Sequence, residues 1–156
     1  MTSYKKILLP HAGTQAGDKA LRHASNIAKH LNASITILHV IEEIPLPPAM
    51  TFDSERKKWA NELRKARNEL KVEMYKKMDV LATKLQKQGI SANVKVTHGY
   101  PDEEISRIVS QHNYNLIVMA KRRKLPGIKA ILKLGSVSRK ILEKVSCPVL
   151  LIDGEK

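Results

Sequence analysis

The chain is short of most of the residues that small folds use to brace themselves. It has one cysteine, Cys147, so no intramolecular disulfide can form, and the thiol suits a reducing compartment. Trp59, Phe52 and four tyrosines are the only aromatic side chains, so the core must be aliphatic. No run approaches the roughly 18 apolar residues that span a bilayer, and no membrane insertion is expected. The opening "MTSYKKILLPHAG" has neither a long apolar region nor a small-residue cleavage site, which favours a first strand and a cytoplasmic location. There is no Gly-x4-Gly-Lys-[Ser/Thr], which argues against a P-loop NTPase, and no Gly-x-Gly-x-x-Gly dinucleotide fingerprint. His11, His23, His30, His39, His98 and His112 are scattered without metal-ligand spacing, so no metal site is expected. His39 reads as a hydrogen-bonded core residue, and Cys147 as a packed, unreactive thiol.

Acid is scarce as well. Fifteen Asp and Glu stand against 28 Lys and Arg, leaving a formal charge of +13. Such a surface favours anionic partners, although solubility alone would also account for it. The 156 residues, 42% hydrophobic and 28% charged, suit one globular domain over 1–156.

What is present alternates regularly. "YKKILL" (4–9) reads as a buried strand stopped by Pro10, and apolar residues from Ala20 to Leu31 recur at helical spacing over about 16–31. "SITILHV" (34–40) is a second strand, and the proline-rich 41–54 a loop. Trp59, Leu63, Ala66, Leu70, Met74, Met78, Leu81 and Leu85 step by three or four, predicting an apolar stripe along a long helix of about 55–88 that Gly89 ends. A third strand (92–99) precedes "PDEEI", where a proline and acids in the first turn start a helix reaching Gln111. "NLIVMA" (115–120), a helix from Ser136 to about Val145 and "CPVLLID" (147–153) complete the series. This order demands a parallel sheet with right-handed crossovers and helices on both faces. Ligands of such sheets sit beyond the carboxyl ends of the strands, where the strand order reverses. The segments leaving the first and fourth strands, "PHAGT" and "MAKRRK", are the candidates for that crevice.

At this point the chain resembles the universal stress protein family. The resemblance rests on "KKILLP", "ITILHV", "HGYPDEEI", "NLIVMA" and, most specifically, "GSVSRKILEKVSCPVLLI". It implies a three-layer α/β sandwich with a five-stranded parallel sheet in the order 3-2-1-4-5, like that of the adenine nucleotide alpha hydrolases. Family members that bind ATP carry Gly-x-x-Gly-x9-Gly-[Ser/Thr] after the fourth strand. Here Ala120 and Arg123 stand at the first two glycine positions, and eleven residues separate Arg123 from Gly135. Gly135, Ser136, Val137 and Ser138 match. Ala12 replaces the usual Asp of the first loop, while Pro10 and Thr14 are kept. Val40 matches the residue whose backbone meets the adenine, and Met119 a wall of the pocket.

The resemblance thus implies a stress-response module that binds ATP, AMP or another phosphorylated ligand, and the residues themselves offer no catalytic set. The Gly135–Ser138 amides would hold one phosphate at a helix N-terminus, and Lys121, Arg122 or Arg123 would substitute charge for the lost glycines. The costs are geometric, since a Cβ at 120 and at 123 disfavours positive φ. The resemblance also implies a homodimer formed through the fifth strand, Cys147–Asp153. A dimeric scaffold without nucleotide remains an alternative, as does a weak nucleotide hydrolase. So does nonspecific nucleic-acid binding through 121–140, which holds eight Lys or Arg, no acid and no aromatic residue for stacking bases.

Overall fold

The computed structural model describes residues 3–43, 53–121 and 135–154. Among these residues five strands and four helices alternate: β1 (Lys6–Pro10), α1 (Gln15–Leu31), β2 (Ser34–Glu42), α2 (Asp53–Lys87), β3 (Ala92–Gly99), α3 (Pro101–His112), β4 (Leu116–Ala120), α4 (Ser136–Lys144) and β5 (Val149–Ile152). All four strand pairings are parallel, and the sheet order is β3-β2-β1-β4-β5, as the resemblance implied. The order reverses at β1, whose neighbours are β2 and β4.

Alternation along the central strands divides the core in two. Ile7, Leu9, Ile35, Ile37 and Val118 point to the face covered by α1 and α2, where Ala20, Ala24, Met78 and Leu85 meet them. Leu8, Leu38, Ile117 and Met119 point to the other face, against Ile105 and Ile108 of α3 and Ile141 of α4. Period-two side chains with both directions buried give the continuous β-branched runs seen in the sequence.

Several boundaries differ from those the sequence predicts. Pro10 is the last residue of β1, in register with Leu38, because a strand end can hold a residue that lacks an N–H. β5 is shorter than 147–153, and Cys147 precedes it, half-buried against the α3–α4 face. Burial pushes the Cys147 thiol pKa up, which fits an unreactive group. Gly89 does end α2: at φ +80° it lets the Ile90 N–H reach back to the Leu85 carbonyl at 3.1 Å.

The stripe predicted along all of α2 holds only for its C-terminal half. Met78, Ala82 and Leu85 are buried, while every residue from Asp53 to Glu62 is exposed, Trp59 at 38% and Leu70 at 40%. Length explains this. Thirty-five helical residues extend about 52 Å, whereas the nine of β2 extend about 30 Å. Running back from the end of β2 to the start of β3, α2 therefore begins well beyond the carboxyl rim of the sheet.

Met78→Ala should cost about 2–5 kcal/mol through the cavity it opens. Leu70→Ala should stay within about 1 kcal/mol. Urea unfolding of both variants checks the contrast, and equal losses would mean that the upper half of α2 is packed.

Candidate functional site at the carboxyl rim

The loop leaving β1 is built around a histidine. His11 is 3% exposed, and its N–H donates to the Leu38 carbonyl at 2.8 Å. The ring fits because residue 17 is glycine: a Cβ there would stand 2.8 Å from the imidazole. The Gly13 N–H donates to Nδ1 at 2.9 Å, so the ring proton sits on Nε2 and is donated to Asp18 Oδ1 at 3.0 Å. His39 Nδ1 donates to the His11 carbonyl at 2.8 Å, the hydrogen-bonded role expected of it. Gly13 takes φ +78°, which favours glycine, and its carbonyl accepts from Lys77 Nζ of α2 at 3.1 Å. Thr14 caps α1, its Oγ1 accepting the Gly17 N–H at 3.2 Å. A cleft of about 330 Å³ opens between this loop and α2, with His11, Thr14 and Asp18 on one side and Lys77, Val80 and Leu81 on the other.

Burial lowers the His11 pKa below its ordinary 6.5; the bond to Asp18 and the Asp18 charge pull upward, and His39 and Lys77 push down. The neutral ring is the form this loop accepts. A proton on Nδ1 would remove the acceptor that orients Gly13.

The second part of the rim follows β4. Parallel pairing of β4 with β5 makes α4 run back across the sheet, so its N-terminus lies at the carboxyl end. Gly135 is the N-cap residue, with φ −63° and ψ 156°, and among the described residues no side chain caps the first turn. The amides of Ser136, Val137 and Ser138 are thus the available donors, and the positive end of the helix dipole lies there. Ser136 is exposed, Ser138 is 2% exposed, and Val137 packs into the α3–α4 core.

Of the residues singled out in the sequence, Pro10 and Val40 end half-buried at the exits of β1 and β2, and Met119 is buried near the end of β4. Lys121 leaves β4 beside β5: its N–H donates to the Ile152 carbonyl at 2.8 Å and its ammonium stands 3.6 Å from Asp153. Arg122 and Arg123 lie outside the described residues. The cleft between α1 and α2 takes in Thr14 alone of the predicted set. His11, Asp18 and Lys77 were missed by sequence reasoning, because a histidine and an acid seven residues apart reveal nothing until the loop folds back on α1. Among the described residues, no three His, Cys, Asp or Glu side chains gather to hold a metal ion.

The "PDEEI" acids serve helix packing. Asp102, buried at the start of α3, accepts from Lys144 of α4 at 2.8 Å, with Lys140 at 4.0 Å, and the Lys144 bond holds its carboxyl below the usual range. Glu104 pairs with Arg107 at 2.7 Å.

A doubly wound parallel sheet whose order reverses beside a helix N-terminus defines a class of α/β proteins that bind ligands at the strand exits. Residues 3–153 match the universal stress protein family. The universal stress protein MJ0531 of Methanocaldococcus jannaschii is 30% identical over 98% of this chain and 84% of its own length. The solved structure of MJ0577 from the same organism superposes with a TM-score of 0.78 at 26% identity, covering 97% of each chain. The chain belongs to the universal stress protein family. Two more distant structures share the fold. One is a universal stress protein in complex with cAMP, at 18% identity and TM-score 0.61 over 99% of this chain and 100% of its own. The other is the Archaeoglobus fulgidus protein in complex with dAMP, at 17% and 0.60 over 97% and 99%.

Since the folded His11 binds its proton less readily than an unfolded one, the stability it contributes is full above pH 6.5 and is lost as pH falls below that value through the folded pKa. Urea midpoints of the parent chain should drop between pH 7.5 and 5 by more than those of His11→Gln. Equal slopes would show that His11 is not the responding group. Gly17→Ala should destabilise by about 1–3 kcal/mol, because the methyl displaces the imidazole.

Proposed function

We propose that the chain is a single-domain cytoplasmic stress-response module that binds an adenine nucleotide or a related phosphorylated ligand where β1 and β4 exit. It signals or protects rather than transforming the ligand. The observation that carries this reading is the start of α4: Gly135-Ser136-Val137-Ser138 follows β4 at the rim and presents uncapped amides. The cAMP and dAMP complexes of proteins with the same fold support an adenine nucleotide as the ligand class. One phosphate fits this helix end. Ala120 and Arg123 in place of the loop glycines count against wrapping a longer chain of phosphates, so AMP should bind at least as tightly as ATP. A bound ligand would act by population shift, altering the surface at the rim by no more than its differential affinity for the two states.

The dimer completes the proposal. Among the described residues β5 lies at the sheet edge, paired with β4 only, and Leu150 is exposed. A strand at a sheet edge invites a second strand, so the segment Cys147–Asp153 is the proposed contact between two copies.

Calorimetric titration with AMP, ATP and cAMP should give saturable heat. Ser136→Glu should weaken binding at least about tenfold, a loss of about 1.4 kcal/mol, by placing a carboxylate among the phosphate donors. The same acid suits a helix N-terminus, so folding is kept. No saturable heat with any of the three would leave the dimeric scaffold as the better reading. Light scattering should report a dimer that Leu150→Lys turns into monomers, and a monomeric parent chain would remove the strand contact.

A further inference from the structure

The half of α2 that overhangs the carboxyl rim changes character on the side that faces the sheet. Along the covered half, Met74, Met78, Ala82 and Leu85 point inward. Continuing the same face upward by steps of three and four gives Lys71, Arg67 and Arg64. The inward side thus turns from apolar to basic at the level where the strands end. Arg67 marks that level: its guanidinium is 3.2 Å from Glu43, just past β2, and the same carboxylate is 3.1 Å from Nε2 of His98 near the end of β3. A cleft of about 250 Å³ lies among Arg64, Arg67, Lys71, Asn68, His98 and Ile41.

The charges in this cleft do not balance. Glu43 answers Arg67 and His98, whereas among the described residues neither Arg64 nor Lys71 has a carboxylate within 4.0 Å; Arg64 donates to Asn61 at 3.2 Å. Of the acids in this half of the helix, Glu55, Glu62, Glu69 and Glu73 fall on its opposite side, while Asp53 shares the basic face but lies three turns before Arg64; all five are exposed. The segment joining Glu43 to Asp53 contains no charged residue to fill the gap. Cations three, four and seven positions apart on one helix face repel one another, and among the described residues the Glu43 carboxylate at Arg67 is the one ion pair that offsets this arrangement.

We propose that this corner, between α2 and the ends of β2 and β3, is a second anion site that takes a small phosphorylated ligand. Arg64 and Arg67 supply planar guanidinium forks, which match phosphate oxygens in bidentate geometry, and Lys71 adds a point charge. Asn68 and His98 supply further polar contacts. Glu43 is the resident anion that holds Arg67 and His98 in place until a phosphate displaces or joins it. The cleft is smaller than those that enclose drug-sized molecules, which selects a compact anion such as a diphosphate group. The site lies on the α2 side of the sheet, so it stands apart from the amides of α4 and does not depend on nucleotide binding there.

The test is calorimetric titration of the full chain with sodium pyrophosphate at low salt, performed in the Ser136→Glu background so that the α4 amides are blocked. Saturable binding at one site is expected, weakened at least about tenfold when Arg64→Glu and Lys71→Glu are added. Both positions are exposed and glutamate is a good helix former, so circular dichroism should show an unchanged fold. On its own the double substitution should leave AMP binding within about twofold, which separates failure here from failure of the nucleotide proposal. Absence of saturable heat, or equal binding with and without the double substitution, overturns the site. Duplex DNA binding this face more tightly than pyrophosphate would overturn its assignment to a small ligand.

Discussion

Leu8 lies between two parallel neighbours, in register with Thr36 of β2 on one side and Ile117 of β4 on the other, and no part of it reaches solvent. Ile7 and Leu9, pointing the opposite way, are equally buried. A strand closed on both edges and both faces cannot slip by one residue without turning every side chain toward the wrong layer. That fixed register brings the exits of β1 and β4 side by side and gives the β1–α1 loop and the start of α4 a common rim. The polar groups at this rim are placed by the aliphatic core beneath them.

The histidine-centred loop shows how a polar arrangement can be forced by packing. Once β1 is fixed and α1 must return over it, the chain has only Ala12 and Gly13 in which to turn before Thr14 caps the helix. His11 fills the space left by the missing side chain of Gly17, and its two ring nitrogens then bond Gly13 and Asp18. A buried imidazole satisfied on both sides is rigid as long as it stays neutral. Lys77 ties the same loop to α2, so the carboxyl rim and the long helix are joined.

On the other face, Asp102 and Lys144 link the start of α3 to the end of α4. The pair lies at the far end of α4 from Ser136, so it orients the helix without entering the crevice. Charge in this protein therefore has two uses. Where acid and base meet, as at Asp102, they hold elements together. Where bases outnumber the acids that face them, as on one face of the overhanging part of α2, they meet solvent beyond the carboxyl ends of the strands.

Alternation of β-branched runs with helical periodicity was enough to determine the order of elements, because a buried parallel strand and an amphipathic helix each leave a periodic trace in the chain. Pro101 and Gly89 likewise marked a helix start and a helix end through constraints local to themselves. The Gly-Ser-Val-Ser helix start was legible for the same reason. The His11–Asp18–Lys77 contacts were not, since they join a loop, the first turn of α1 and a residue more than sixty positions later, and no period connects them. Nor could the stripe along α2 reveal where it would cease to be covered. Helix periodicity states which residues share a face, but only the relative lengths of helix and sheet, about 52 Å against 30 Å, decide which of those residues meet a core and which meet water.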